Sequence, residues 1–318
     1  MEFMSAKDTE KLVDFITTRH DAGKAAKPFL KWAGGKGQLI KNIEKYYPFS
    51  CAEITKYAEP FVGGGAVLFD VLNKHDINEV YINDINPDLI NAYRIIRDDI
   101  NGLIAKLSVM QEEYQSAGTE QRKELYSAQR LRFNEIKASP KPATDVERAA
   151  LIIFLNKSCF NGLYRVNRKG MFNVPIGAYK KPLICDENNL RAVSDKLRNV
   201  RIVCGDYKDS AEFIDKHTFV YFDPPYRPLT DTASFTAYSE NQFNDEKQIE
   251  LADFAGKISK RGAKVLISNS DPKNADSSDD FFDKLYSSYR IERVEAARMI
   301  NCNSEARGKI KELLISNY

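Results

Sequence analysis

At 318 residues, 43% hydrophobic and with a net charge of +2, the chain has the size and composition of a soluble globular protein of one large domain or two. No apolar run approaches the roughly 20 residues of a membrane helix, and the polar start MEFMSAKDTEK lacks the apolar stretch of a signal peptide, so no membrane contact and a cytoplasmic setting are expected. Five scattered cysteines without a C-x-x-C pair, and three isolated histidines, point away from a disulfide framework, a metal centre and a catalytic imidazole.

Charge is unevenly spread. Residues 121–181 hold 13 Lys and Arg against 4 Asp and Glu, a local +9, which leaves −7 for the rest of a chain whose net is +2. A basic segment in an acidic chain suits a polyanion partner; a solvated helical surface is the other reading.

In chain order, residues 1–26 form a polar arm with a short amphipathic patch at Leu12, Phe15 and Ile16. PFLKWAGGKGQLI, residues 28–40, sets glycines among Lys31, Trp32 and Lys36. It fails the P-loop pattern, which needs Gly at Leu30 and Ser or Thr at Gly37. Residues 57–73, YAEPFVGGGAVLFDVLN, read as an extended segment ending at Val62, a glycine loop and a helix, the unit that holds nucleotide-like ligands. Leu68 stands where the dinucleotide fingerprint needs its third glycine, which argues for an adenosine ligand other than NAD. The next strand, Val80 to Ile82, leads to Asp84, 21 residues after Gly63, a distance that suits capture of a ribose diol. Asn86 caps a helix with Pro87 at its first position and an apolar stripe at Leu89, Tyr93 and Ile96.

Strand–helix alternation stops over residues 99–185. Helical spacing (Leu103, Leu107, Met110, Tyr114, then Leu125 to Ile136) runs to a proline break, and Thr144 or Asp145 can cap the apolar run Ala149 to Leu155. The stretch NKSCFNGLYRVNRKGMFNVPIGAYKKP then interleaves cations with aromatic rings and shows few apolar positions in register. That mixture fits a nucleic acid, with cations for phosphates or guanine edges and rings for stacking or wedging.

The α/β rhythm returns after residue 186. Val200 to Val203 reads as a strand ending near Asp206, and Phe219 to Phe222 as a buried strand stopped by Asp223-Pro224-Pro225-Tyr226. The polar, aromatic stretch 227–243 is expected to cover the site. A helix follows from Asp245 with Ile249, Ala252, Ala255 and Ile258 on its apolar side, then the strand Val265 to Ile267. Ile291 to Ile300 and Leu313 to Ser316 suggest an antiparallel hairpin at one sheet edge.

The proline turn is the chemical centre. Asp223 accepts hydrogen bonds through its carboxylate, Pro224 offers a carbonyl and no N–H, and Tyr226 supplies a ring. Two acceptors beside an aromatic face fit a planar exocyclic amine such as N6 of adenine.

KWAGGK, EPFVGGG, NDIN and FDPPY, in this order, together with NGLYR, FNVPIGAYKKP and ARGKIKELL, resemble the DNA adenine-N6 methyltransferases of the α (D12) class, and most of all the Dam type, which methylates GATC. The resemblance implies a Rossmann-like methyltransferase fold, mostly parallel with an antiparallel edge hairpin. Residues 27–98 and 186–318 would form the catalytic domain, residues 99–185 a mainly helical target-recognition domain, and 1–26 an arm. S-adenosyl-L-methionine would be the cofactor and double-stranded DNA the partner of a monomer or weak dimer. Trp32, Lys36, Glu59, Phe61, Gly63, Gly65, Asp84, Asp206 and Asp223 would bind the cofactor. Asp223, Pro224 and Tyr226 would act in catalysis, and Lys31, Phe160, Asn161, Arg165, Pro175 and Tyr179 would contact DNA. Phe160 stands where the family often has a wedging tyrosine, keeping the ring without the hydroxyl. The tetrapeptide by itself also suits cytosine N4, RNA adenine or a protein glutamine amide, and a DNA-binding protein that lost activity is the alternative of another class. Whether the enzyme serves a restriction–modification system or works alone stays open at this point.

Overall fold

The computed structural model describes residues 25–227, 243–297 and 309–318. The N-terminal patch at Leu12, Phe15 and Ile16, most of the expected covering loop, and residues 298–300 of the last expected strands lie outside the described residues.

Seven strands form one sheet in the order β3-β2-β1-β4-β5-β7-β6. They are β1 Lys56–Glu59, β2 Glu79–Asp84, β3 Val200–Cys204, β4 Thr218–Phe222, β5 Lys264–Ser270, β6 Arg290–Ala297 and β7 Lys309–Ser316. The first five pair in parallel, and β7 runs antiparallel between β5 and β6. The expected terminal hairpin is therefore present, with β6 as the edge strand.

The central strands are apolar throughout because both faces are covered. Along β4, Phe219 and Tyr221 enter one core, while Val220 and Phe222 enter the other. Helices α1 Ala66–Lys74, α2 Pro87–Asp98 and α6 Glu187–Leu197 bury their apolar sides in the first core. Helices α7 Asp245–Lys260 and α8 Phe281–Leu285 cover the second. Asn86 caps α2 through its side-chain oxygen, which accepts from the amides of Asp88 and Leu89. On α7 the sequence places Ile249 inward, but it is 44% exposed. Gln248, Leu251, Ala255 and Ile258 form the buried side instead, since the polar Gln248 finds buried partners. β1 also stops at Glu59, before the expected Val62, where the chain turns into the glycine loop.

Helices α3 Ile100–Ser116, α4 Thr119–Ala138 and α5 Asp145–Ser158 occupy the segment without strands. Leu103, Leu107, Met110 and Tyr114 of α3 and Ala149 to Leu155 of α5 are buried in the same core as α1, α2 and α6. Thr144 holds the cap position of α5 but makes no side-chain cap bond; its hydroxyl donates to the Lys141 carbonyl. Beyond α5 the chain doubles back through two isolated bridges, Cys159 with Ile176 and Val166 with Phe172. Here the sequence reading is corrected: Phe172 and Val174 alternate with exposed or half-exposed neighbours and are buried, so this basic stretch has its own small apolar register.

Candidate active site

The carboxyl ends of β1 and β4 adjoin where the strand order reverses, the place at which open α/β sheets hold ligands. A cavity of about 770 Å³ opens there. Every residue expected to bind a cofactor or act in catalysis lines it: Trp32, Lys36, Glu59, Phe61, Gly63, Gly65, Asp84, Asp206, Asp223, Pro224 and Tyr226.

The glycine loop is shaped by close approach. Gly65 has φ +73, and a Cβ there would lie 2.5 Å from the Tyr93 hydroxyl and 2.9 Å from the Phe69 ring. At Gly63, φ +47, a Cβ would lie 3.0 Å from the Trp32 indole. Tyr93 donates to the Gly63 carbonyl at 3.1 Å, and the Gly63 amide donates to Asp84 Oδ2 at 3.1 Å. Asp84 Oδ1 accepts from the Asn86 amide at 2.9 Å, so this carboxylate braces the loop while facing the cavity. Burial raises its pKa, and the amide bonds from Asn86 and Gly63 offset part of that. Buried Asn83 of β2 donates to the carbonyls of Gly205 (3.1 Å) and Asp206 (3.0 Å), just beyond β3. Asp206 caps the next turn by accepting from the Lys208 amide. Phe61 stacks on Tyr207, centroids 5.3 Å apart.

The proline turn after β4 is held on both flanks. Asp223 Oδ1 forms an ion pair with Lys36 Nζ at 2.6 Å and accepts from Ser268 Oγ at 3.0 Å. Oδ2 has no hydrogen-bond partner among the described residues. Lys36 is buried, donates to the Gly34 carbonyl at 2.9 Å and lies 4.7 Å from the centre of the Tyr226 ring. The Tyr226 hydroxyl donates to Glu312 Oε2 of β7 at 2.7 Å; burial, then Asp223 and Glu312, hold this phenol protonated far above its usual range. Gln248 donates to the Pro225 carbonyl at 3.2 Å, and Arg227 forks onto Asp245 and reaches Asp279. Glu59 is buried and accepts from the Tyr57 hydroxyl at 2.6 Å; burial pushes its carboxyl up to about 8.

The residues expected at DNA gather around the doubled-back segment. Lys31 Nζ lies 3.4 Å from the Tyr179 hydroxyl and 5.1 Å from its ring centre. The Phe160 amide donates to the Pro175 carbonyl at 2.9 Å, and the Phe160 ring stands 52% exposed. Asn161 takes φ 55, a left-handed conformation found here at no other non-glycine among the described residues. Arg165 donates to Asn173 Oδ1 at 2.8 Å and to its carbonyl at 3.2 Å.

Sequence reasoning missed several supports. Asn156 clamps Lys31 from both sides of its backbone and also donates to the Gly162 carbonyl. Ser268 and Glu312 reach the proline turn from β5 and β7. Their only signal was a polar residue inside an apolar strand. Part of the basic excess is also structural: Arg132 forks onto Glu147, Arg122 caps the Tyr114 carbonyl, and Lys137 and Arg148 surround buried Asp88.

A doubly wound sheet with a glycine hollow, acidic strand ends and an Asp-Pro-Pro-Tyr turn on one cavity defines an α/β enzyme of the methyltransferase kind. The family model of the D12 class N6 adenine-specific DNA methyltransferases matches residues 32–300. The type II methyltransferase M.MjaIII of Methanocaldococcus jannaschii is 52% identical over 295 residues, 92% of this chain and 99% of its own. DNA adenine methylases of Haemophilus influenzae (37% identical, 91% and 92% covered) and Escherichia coli K12 (35%, 92% and 95%) are similar along nearly their whole lengths. The chain belongs to the D12 class N6 adenine-specific DNA methyltransferase family, and it is a DNA adenine methyltransferase that uses a methyl donor. No helix among the described residues is long and apolar enough to cross a membrane.

Proposed function

We propose that the enzyme transfers a methyl group from S-adenosyl-L-methionine to N6 of an adenine flipped out of double-stranded DNA, within GATC, and that it works in the cytoplasm. The observation that carries this reading is the shared cavity: the glycine hollow and the proline turn open onto the same space. The donor set fits the cofactor. The glycine loop opens on the cavity without side chains of its own, Asp84 and Asp206 offer acceptors for hydroxyls, and Asp223 suits a cationic sulfonium. When bound, S-adenosyl-L-methionine supplies an activated methyl on sulfur.

The chain's own residues do the rest. Extruding the base costs a few kcal/mol. The Phe160 ring, which is exposed, fills the gap, and the duplex is held by Lys31 together with Asn161, Arg165, Pro175 and Tyr179 of residues 99–185, the target-recognition part. N6 is a poor nucleophile because its lone pair is delocalised into the ring. Asp223 Oδ2 and the Pro224 carbonyl accept its two N–H bonds, which favours a tetrahedral nitrogen and turns the lone pair towards the glycine hollow. Tyr226 stacks on the flipped ring, its edge fixed by Glu312. Positioning and electrostatics supply the acceleration, without a covalent enzyme intermediate.

The test is Asp223→Ala, with Asp223→Asn as a variant that keeps the side-chain shape. Methyl transfer should fall by about 10³-fold or more while affinity for duplex DNA stays within a few-fold. Near-normal turnover in either variant excludes the role. Nucleoside analysis of the methylated product must return N6-methyladenine, and mapping must place it in GATC.

A further inference from the structure

We propose that Tyr164 is a positioning residue which seats Trp32 against the glycine hollow, so that DNA binding and methyl-donor binding strengthen each other through this pair of rings. The proposal rests on the reading of the cavity as the donor site.

Trp32 is a wall of the cavity, and it sits so close to the loop that a Cβ on Gly63 would meet its indole at 3.0 Å and one on Gly64 its Cβ at 3.1 Å. Tyr164 stacks on it, with centroids 5.2 Å apart and planes at 27°. Tyr164 does not line the cavity. It is fixed from behind, where its hydroxyl donates to Asp88 Oδ2 at 2.7 Å. Asp88 is fully buried in the first turn of α2, four residues after Asp84, and also accepts from Lys137 (2.5 Å) and Arg148 Nε (2.8 Å). Tyr164 is thus a stiff link between the start of α2 and the back of Trp32.

The covalent neighbours give the link its significance. Trp32 follows Lys31 and Tyr164 precedes Arg165, so two of the residues expected to contact DNA each adjoin one ring of the stack. Asn156 holds the Lys31 backbone and the Gly162 carbonyl at once, which leaves little slack between the two strands of chain. A duplex that draws in Lys31 and Arg165 must therefore tighten or shift the stack, and with it the wall of the hollow. A donor packed on Trp32 returns the effect, since coupling between two sites is reciprocal.

Trp32 is the single tryptophan of the chain, so intrinsic fluorescence reports this wall directly. The experiment titrates S-adenosylhomocysteine, which cannot react, into the full-length protein with and without a duplex carrying the target site, and compares the two dissociation constants. In the wild type the duplex should tighten binding about fivefold or more, within the usual range of coupling. Tyr164→Ala should bring the ratio within about twofold of one. Tyr164→Phe, which keeps the ring, should recover most of it, and retained binding of S-adenosylhomocysteine by Tyr164→Ala without DNA, with an unchanged far-UV circular dichroism spectrum, shows that the alanine variant is folded. A wild-type ratio in Tyr164→Ala, or a ratio of one in the wild type, overturns the proposal. Absence of any response to S-adenosylhomocysteine in the wild type removes the donor-site reading first, and this proposal with it.

Discussion

Glu59 ends β1 with its carboxyl out of water, bonded to Tyr57 and close to Asp223. Burial raises its pKa to about 8 from a usual 4.5, Asp223 adds to the rise, and Tyr57 and Lys36 pull against it. Between those two values the folded chain holds a proton that the unfolded chain has released. Stability must then fall as pH rises from 4.5 towards 8, and level off above. Glu59→Gln should flatten that stretch, removing a slope of at most about 1.4 kcal/mol per pH unit. Urea midpoints measured along the pH range check this; parallel curves for wild type and variant would refute it. The residues whose chemistry is local were readable in advance. Asp223 and Pro224 are defined by a strand that two prolines stop, and Gly63 and Asp84 by their spacing. Glu312 was not, because its partner Tyr226 is 86 residues away and nothing local announces the bond.

Among the elements, the turn after α5 makes the sharpest demand. Gly162 has φ +65, and a Cβ would fall 2.5 and 2.9 Å from the Lys31 side chain, while its carbonyl is held by Asn156. Gly162→Ala combines a left-handed backbone with that collision, at about 1–2 kcal/mol for the backbone alone. The variant should lower the unfolding midpoint and, by displacing Lys31, blur the choice of target sequence more than it weakens nonspecific binding. Methylation of a panel of near-target duplexes measures the second effect, and an unaltered preference would detach Lys31 from base reading. The elements themselves were largely visible in the sequence, since helical and strand periods are local. The alternation of Phe172 and Val174 escaped notice because only two bridges pin it, and the surrounding cations hide a two-residue period.

At the scale of the whole molecule, the +9 of residues 121–181 divides into two uses. Arg122, Arg132, Lys137 and Arg148 are spent within the fold, whereas Lys180 and Lys181 are exposed and make no bond among the described residues. If the latter meet phosphates, Lys180→Ala/Lys181→Ala should reduce the slope of log affinity against log salt by about 1 per lysine, with little change in the folded state's stability. A slope equal to that of the wild type would place the duplex elsewhere. The amino-acid sequence alone determined the strand-ending prolines, the glycine hollow, the capped helix after Asp84 and the break in rhythm that sets residues 99–185 apart, because each depends on backbone freedom or spacing within a few residues. Only the tertiary structure decided which charges are buried as partners, which rings face each other and that β7 brings Glu312 to Tyr226, because those contacts join residues far apart in the chain that meet only once the sheet has closed its two cores.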